Sequence, residues 1–146
     1  SVSLAECTLW SSLEPCLMCL SSAILSNVGS IRYLAPDPLW DGCEQLPSLN
    51  AHVEFRWPVH HEPLEHEWAV LGMGLGLHLF AFWQPDSRAL AAHDIEEPET
   101  AELVRRWAAQ RTLVDLAAQQ VSAPDAVAAV WTDVCAAATA RRERLG

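Results

Sequence analysis

The feature that most constrains this chain is a hexapeptide at a predicted junction between a strand and a helix. Residues 14–19 read Glu-Pro-Cys-Leu-Met-Cys. Positions i and i+3 of a helix share a face, so Cys16 and Cys19 are predicted to point at one metal ion. Pro15 suits the first helical position, because its missing N–H would be unpaired there in any case. The positive end of the helix dipole favours thiolate over thiol, and thiolate is the form that binds zinc. Half of a zinc site is therefore predicted at the start of this helix.

The hexapeptide lies within a predicted succession of strand, helix and strand. A short apolar and β-branched run over residues 6–13 is typical of a buried strand. A helix is predicted over about 16–26, and a second strand over 30–34. This succession implies a parallel pair with a right-handed crossover, and ligands in such sheets bind at the C-terminal ends of the strands. Cys16 is predicted to lie at one of those ends.

The remainder of the chain is predicted to add one strand and several helices. Prolines and polar residues interrupt any period over residues 35–50, which indicates a long loop with a helical turn near Trp40. Alternating apolar and charged residues over 53–57 predict a third, half-exposed strand. After a His/Glu-rich link, a buried helix is predicted from about Pro63 through the apolar run 68–83. Two further helices are predicted over 98–120 and 124–145, with Ser122 as the N-terminal cap of the second.

Composition bounds the size and the setting of the protein. A chain of 146 residues that is 51% hydrophobic suits one domain with a sizeable core. Five cysteines are an odd number, and no secretory signal stands before them, which favours a reducing, cytoplasmic setting. The longest apolar run falls short of the roughly 20 residues that a bilayer span needs. We therefore expect no membrane partner.

The charge of the chain disfavours a polynucleotide substrate. The formal net charge is −10, and the sequence pI is about 4.8. A nucleic-acid surface normally shows clustered positive charge. The dense basic cluster of this chain is Arg141, Arg142 and Arg144 at its C-terminal end, where basic side chains complement a helix dipole. We expect a small-molecule substrate, with tRNA disfavoured.

Residues 7–37 resemble the second half of the zinc-dependent cytidine/deoxycytidylate deaminase superfamily. The resemblance is carried by a strand ending in Leu-Glu-Pro-Cys-Leu-Met-Cys and by the helix and strand that follow. It is greatest to the tRNA-adenosine and nucleobase deaminase branch, and residues 50–54, Asn-Ala-His-Val-Glu, are similar to the start of that branch's next strand. The resemblance implies an α/β fold of three layers, α/β/α, with a mixed sheet and extra C-terminal helices. Residues 1–83 would then be the second half of the deaminase-like domain, and residues 84–146 a helical extension packed on it.

The resemblance also implies a reaction and a cofactor. Enzymes of this family hydrolyse the exocyclic amine of a nucleobase or nucleoside, of amino-purine or cytosine type, with zinc as the cofactor. Two cysteines and an upstream histidine hold the zinc, and Cys16 and Cys19 match the two cysteines. A glutamate two residues after that histidine moves the proton between water, ring and leaving amine. Members of this branch often pair, so a homodimer is implied as well.

The chain departs from the family pattern upstream of Pro15. The His-x-Glu pair belongs there, yet fourteen residues precede Pro15 and none is histidine. The favoured explanation is that the N-terminal part is missing, so that the catalytic glutamate and third ligand come from a complementing N-terminal segment or another polypeptide. A circular permutation could instead supply the pair from the His-x-Glu strings at 52–54 or 60–62. The third explanation is a catalytically inactive deaminase-like subunit or binding module.

For several other side chains, a structural role is a better explanation than a catalytic or binding role. A lone Cys-x-x-Cys also marks thioredoxin-like redox sites and half of a zinc ribbon, but the flanking Leu-Glu-Pro and Met18 favour a deaminase-type site. Glu14 is expected to complement the helix dipole rather than to catalyse. The other cysteines are expected to be small buried hydrophobic residues: Cys7, Cys43 and Cys135. A solvated face is expected for His60, His61 and His66 with Glu62, Glu65 and Glu67. Three aromatic side chains could stack on a base: Trp10, Tyr33 and Trp40. We expect them to lie in the core instead.

Overall fold

Two parallel strands organise the first part of the protein, whose computed structural model describes residues 3–61, 63–64 and 66–146. Strand β1 (Thr8–Leu13) pairs in parallel with β2 (Ser30–Ala35), and Leu9 lies opposite Ile31. Helix α1 (Leu17–Leu25) forms the crossover between them. The predicted strand, helix and strand are confirmed to within two residues at each end. The prediction that the first strand is buried is wrong, because every residue of β1 is exposed or partly exposed at the edge of the described sheet.

Helices make up most of the remaining described residues. The loop after β2 contains a 3-10 turn at Pro38–Trp40, which confirms the turn predicted near Trp40, and a second turn at Cys43–Gln45. The α-helices that follow are α2 (Leu46–Leu49), α3 (Ala51–Phe55), α4 (Glu67–Trp83), α5 (Arg88–Glu96), α6 (Pro98–Ala109), α7 (Thr112–Ala118) and α8 (Ala123–Leu145). Within the described part of the chain, every helix is too short or too polar to cross a membrane.

The third strand lies later in the chain than predicted. The strand predicted over residues 53–57 is wrong, because α3 occupies most of that segment. The side chain of Asn50 accepts hydrogen bonds from the N–H groups of His52 and Val53, and this cap starts a helix where alternation predicted a strand. Strand β3 (Val59–His60) pairs in parallel with β2 instead. The α/β class is confirmed, whereas the three described strands, in the order β1-β2-β3, are all parallel rather than mixed.

The C-terminal helices also differ from the prediction. The single helix predicted over 98–120 is two helices, because Arg111 adopts a left-handed conformation with φ of 56° and ends the first. Helix α5 was not predicted. The N-terminal cap of α8 is confirmed, since the Ser122 hydroxyl accepts a hydrogen bond from the N–H of Asp125 at 3.4 Å.

Helices cover both faces of the sheet. On one face, Leu20 and Ile24 of α1 form a buried cluster with Ile31 of β2. On the other, α4 approaches Leu34 so closely that a Cβ added to Gly72 would lie 2.6 Å from its Cβ. Successive strand residues point to opposite faces, so α1 and α4 lie on opposite sides of β2. The C-terminal ends of β1 and β2, where α1 begins, therefore lie between a layer formed by α1 and a layer formed by α4.

A larger hydrophobic core joins α4 to the C-terminal helices. Met73 and Leu77 of α4 are buried together with Trp107 of α6 and Val134 of α8. The helix predicted from about Pro63 through residues 68–83 is present, but it begins at Glu67. It is buried on one side only, since Leu79 and Trp83 are 62% and 72% exposed. The predicted boundary at residue 83 stays a prediction, and this core extends across it.

Candidate metal centre

The two predicted ligands lie together at the first turn of α1. Their Sγ atoms are 3.3 Å apart, and both residues are free thiols. Cys16 is the N-terminal cap, with φ of −59° and ψ of 164°, and Cys19 is the third helical residue. Pro15 therefore precedes the cap and does not hold the first helical position as predicted, because the extended ψ of Cys16 places the first helical residue at Leu17, two residues later. The structure brings the two sulfurs together at the C-terminal end of β1.

The donor set fits two of the four positions around a zinc ion. Tetrahedral zinc with Zn–S bonds of about 2.3 Å places two sulfurs about 3.8 Å apart. The pair at 3.3 Å needs to open by about 0.5 Å, which small side-chain rotations provide. Cys19 is exposed and Cys16 is partly exposed, so an ion from solvent can reach both sulfurs.

The first turn of α1 favours a thiolate at Cys16. The backbone N–H of Cys19 lowers the pKa of the Cys16 thiol, burial opposes this, and the Cys19 side chain and the Met18 N–H lower it further. The pKa of the Cys19 thiol is raised, first by the contact with the Cys16 sulfur and then by burial. The pair therefore gives up its first proton at Cys16, as expected of a thiol at a helix N-terminus.

Two carboxylates, Glu14 and Asp37, lie near Cys16 at the C-terminal ends of β1 and β2. Burial raises the pKa of Glu14, and its Oε2 accepts a hydrogen bond from the N–H of Asp37 at 3.4 Å. Glu14 thus links the ends of β1 and β2, which differs from the expected dipole role. The charge of Asp37 raises the pKa of Cys16. Glu14 and Asp37 also line a cavity of about 400 Å³, together with Asp41 and Arg144.

Among the residues that the structure describes, no third ligand lies beside the two cysteines. The described residues contain no group of three His, Cys, Asp or Glu side chains placed to hold a metal ion. Of the permutation candidates, His52 and Glu54 are exposed on α3. The 60–62 string ends at Glu62, which lies outside the described residues. Cys16 and Cys19 are thus the part of the predicted constellation that the described structure assembles.

The His/Glu-rich link is not a uniformly solvated face. The His60 ring stacks on Trp57 with ring centroids 4.9 Å apart, and burial lowers the pKa of His60. The Nδ1 atom of His61 lies 3.4 Å from the Arg32 guanidinium. Glu67 pairs with Arg142 at 2.9 Å. Glu65, like Glu62, lies outside the described residues. The prediction of a solvated face is therefore wrong for His60, since stacking on Trp57 shields its ring.

The remaining cysteines and aromatic candidates are more exposed than expected. Three other thiols are partly exposed rather than buried: Cys7, Cys43 and Cys135. Cys43 lies at the margin of the cluster that α1 forms with β2. Trp10 is 59% exposed, with the Arg32 guanidinium 5.6 Å from its ring centroid. Tyr33 packs at the edge of the α1 cluster, and Trp40 is partly exposed. Trp10 is thus available to a ligand or a partner, whereas Tyr33 belongs to the core margin.

Comparison with family models, with curated proteins and with solved structures returns no match to this chain. The chemistry of the site is therefore argued from its residues. Two accessible thiols in contact at a helix N-terminus can bind a thiophilic divalent metal ion, and they can also be oxidised as a pair.

Proposed function

We propose that this chain contributes the two-thiolate half of a zinc centre to a nucleobase or nucleoside deaminase. The observation that carries the proposal is the contact of the Cys16 and Cys19 sulfurs at 3.3 Å. It is supported by their position where β1 passes into α1, at the C-terminal edge of a parallel pair. The hexapeptide and the strand, helix and strand order supply the link to deamination.

In the complete site, zinc would supply a bound water whose pKa is near neutral. Cys16 and Cys19 would bind the ion as thiolates, so loading releases thiol protons. The first-turn amides stabilise the charge on Cys16, and packing of Leu20 and Ile24 against Ile31 holds the turn in place. The third ligand and the glutamate that moves the proton would come from a segment outside the described residues or from a partner chain.

The substrate we propose is a free base or nucleoside. The cavity lined by Glu14 and Asp37, about 400 Å³ in volume, lies at the C-terminal ends of β1 and β2, although neither Cys16 nor Cys19 lines it. Its carboxylates repel the phosphates of a polynucleotide, as does the net charge of −10. A neutral base carries no such penalty.

A second candidate function is that of an inactive deaminase-like subunit or binding module. It is favoured by the lack of a three-ligand group among the described residues. Strand β1 is also an edge of the described sheet, and its Trp10 is 59% exposed. An exposed edge strand is a site for pairing with another chain.

Cobalt(II) binding tests the two-thiolate half-site directly, because cobalt–thiolate charge-transfer absorption reports sulfur ligation. We expect this absorption in the natural protein and its loss in Cys16→Ser and in Cys19→Ser. The matched control, Cys135→Ser, removes a partly exposed thiol on α8 and should keep the absorption. No absorption in the natural protein, or full absorption in Cys16→Ser, contradicts the site. We also expect the isolated 146-residue chain to retain less than stoichiometric zinc by atomic absorption.

Ammonia release distinguishes the two candidate functions. The full-length natural protein, loaded with zinc, is incubated with purine and cytosine bases and their nucleosides. Release that is lost in Cys16→Ser and kept in Cys135→Ser supports the deaminase. Metal binding without release from any of these compounds supports the inactive subunit.

A further inference from the structure

The two thiols of α1 carry a second reactivity that needs no metal. We propose that Cys16 and Cys19 form a reversible intramolecular disulfide by exchange with a low-molecular-weight disulfide. The proposal rests on the geometry of the pair and does not depend on the proposed deaminase function.

The distance between the sulfurs suits formation of the disulfide, which would close a ring through residues 16–19. They are 3.3 Å apart, and a disulfide bond is about 2.05 Å long, so they must approach by about 1.3 Å. Cys16 lies at the cap and Cys19 three residues later, the spacing of the Cys-x-x-Cys dithiols that cycle between reduced and oxidised forms. Side-chain rotation can bring the sulfurs together while the helix behind them stays in place.

Access to the pair is open on the solvent side. Cys19 is exposed, and the two residues between the thiols are exposed as well, Leu17 by 44% and Met18 by 75%. A molecule the size of a small peptide disulfide can therefore reach a sulfur. Cys7 is placed differently, since its Sγ contacts the carbonyl oxygen of Ser3 at 3.5 Å.

The thiol–disulfide exchange takes place in two steps. The thiolate of one cysteine attacks a sulfur of the external disulfide, forms a mixed disulfide and releases one external thiolate. The second cysteine, as thiolate, attacks the protein sulfur of that mixed disulfide, forms the Cys16–Cys19 bond and releases the second external thiolate. The two protein sulfurs are oxidised, the external disulfide is reduced, and the two protons pass to solvent or to the released thiolates. The ring form holds no free thiolate, so oxidation competes with metal binding.

Peptide mass spectrometry tests the ring in the intact protein. The metal-free protein is equilibrated with oxidised and reduced glutathione, blocked with iodoacetamide and cut with trypsin. Every basic residue of the sequence other than histidine is arginine, and the first is Arg32, so Cys7, Cys16 and Cys19 fall within one tryptic peptide that ends at Arg32. We expect this peptide to lose two hydrogens and keep one alkylated thiol, and fragmentation to place the bond between Cys16 and Cys19. The ring should exceed the mixed disulfide by more than about tenfold, because a thiol in contact outcompetes external thiol.

Single-thiol variants complete the test. Cys16→Ser and Cys19→Ser should stop at the mixed disulfide with glutathione, since neither can close the ring. Cys7→Ser should form the ring as the natural protein does, and its circular dichroism spectrum confirms that it is folded. A ring that joins Cys7 to either partner overturns the proposal, as do two separate mixed disulfides on Cys16 and Cys19 or no reaction at all. Cobalt binding is measured separately, so either property can fail without the other.

Discussion

Replacing Gly72 with alanine should force α4 away from the sheet. The added Cβ would lie 2.6 Å from the Cβ of Leu34 and in contact with the backbone oxygen of Ser12. Carbon atoms in favourable contact are about 3.5–4.0 Å apart, so α4 would have to retreat by about 1 Å. Neither obstacle can rotate away, because one is a backbone atom and the other is attached directly to the backbone.

The expected loss of stability follows from two opposing effects. Overpacking of this kind costs about 1–3 kcal/mol, and two fixed obstacles place Gly72→Ala near the upper value. Alanine in place of glycine inside a helix stabilises by about 1 kcal/mol. The net decrease in the free energy of unfolding should therefore be about 2 kcal/mol, or about 6 °C in Tm for a chain of this size.

Urea unfolding followed by far-ultraviolet circular dichroism measures this loss. Gly76→Ala, in the same helix, is the matched control, because its added Cβ meets the side chain of Leu13, which can adopt another rotamer. We expect the control to change the free energy of unfolding by less than about 1 kcal/mol. An unfolding midpoint for Gly72→Ala at or above that of the natural protein, or equal losses in both variants, would refute the close docking of α4.

Two further predictions concern buried charge and pH. Arg141 and Glu97 form a bidentate pair at 2.5 and 2.6 Å, with side chains only 16% and 8% exposed. Arg141→Met should lower the free energy of unfolding by about 3 kcal/mol, because it leaves a buried carboxylate without its main partner. Arg105→Met breaks an exposed pair and should cost less than about 1 kcal/mol in the same urea titration, so equal losses would contradict the assignment. Burial lowers the pKa of His78 from about 6.5, the value of an exposed histidine. As the pH falls below about 6.5, the unfolded state therefore binds more protons than the folded state. The free energy of unfolding should therefore decrease as the pH falls through about 6.5. His78→Phe should make this decrease with pH smaller, whereas the same pH dependence in both proteins would show that His78 does not contribute.

Local signals predicted the elements nearest the thiols. Residues 8–13 are apolar and β-branched, and the helix after them begins at a proline-cysteine step, so both features depend on neighbours within a few residues. The prediction failed over 53–57, where the five residues are too few to outweigh the Asn50 cap. It also failed at Arg111, a residue type that rarely adopts positive φ. Nothing in the local sequence marks that break.

The contact of Cys16 and Cys19 was predictable because the residues are three positions apart at a helix start, where the side chain of the cap residue lies close to the third helical residue. The surroundings of the thiols were not predictable in the same way. Glu14 meets Asp37 across 23 residues of sequence, and α4 closes on the sheet through Gly72. Such contacts depend on which elements pack together, a choice made by burial summed over the whole chain rather than by any local pattern. The spacing of the thiols is thus local information, whereas the cavity, the charges and the exposed edge beside them arise from long-range packing.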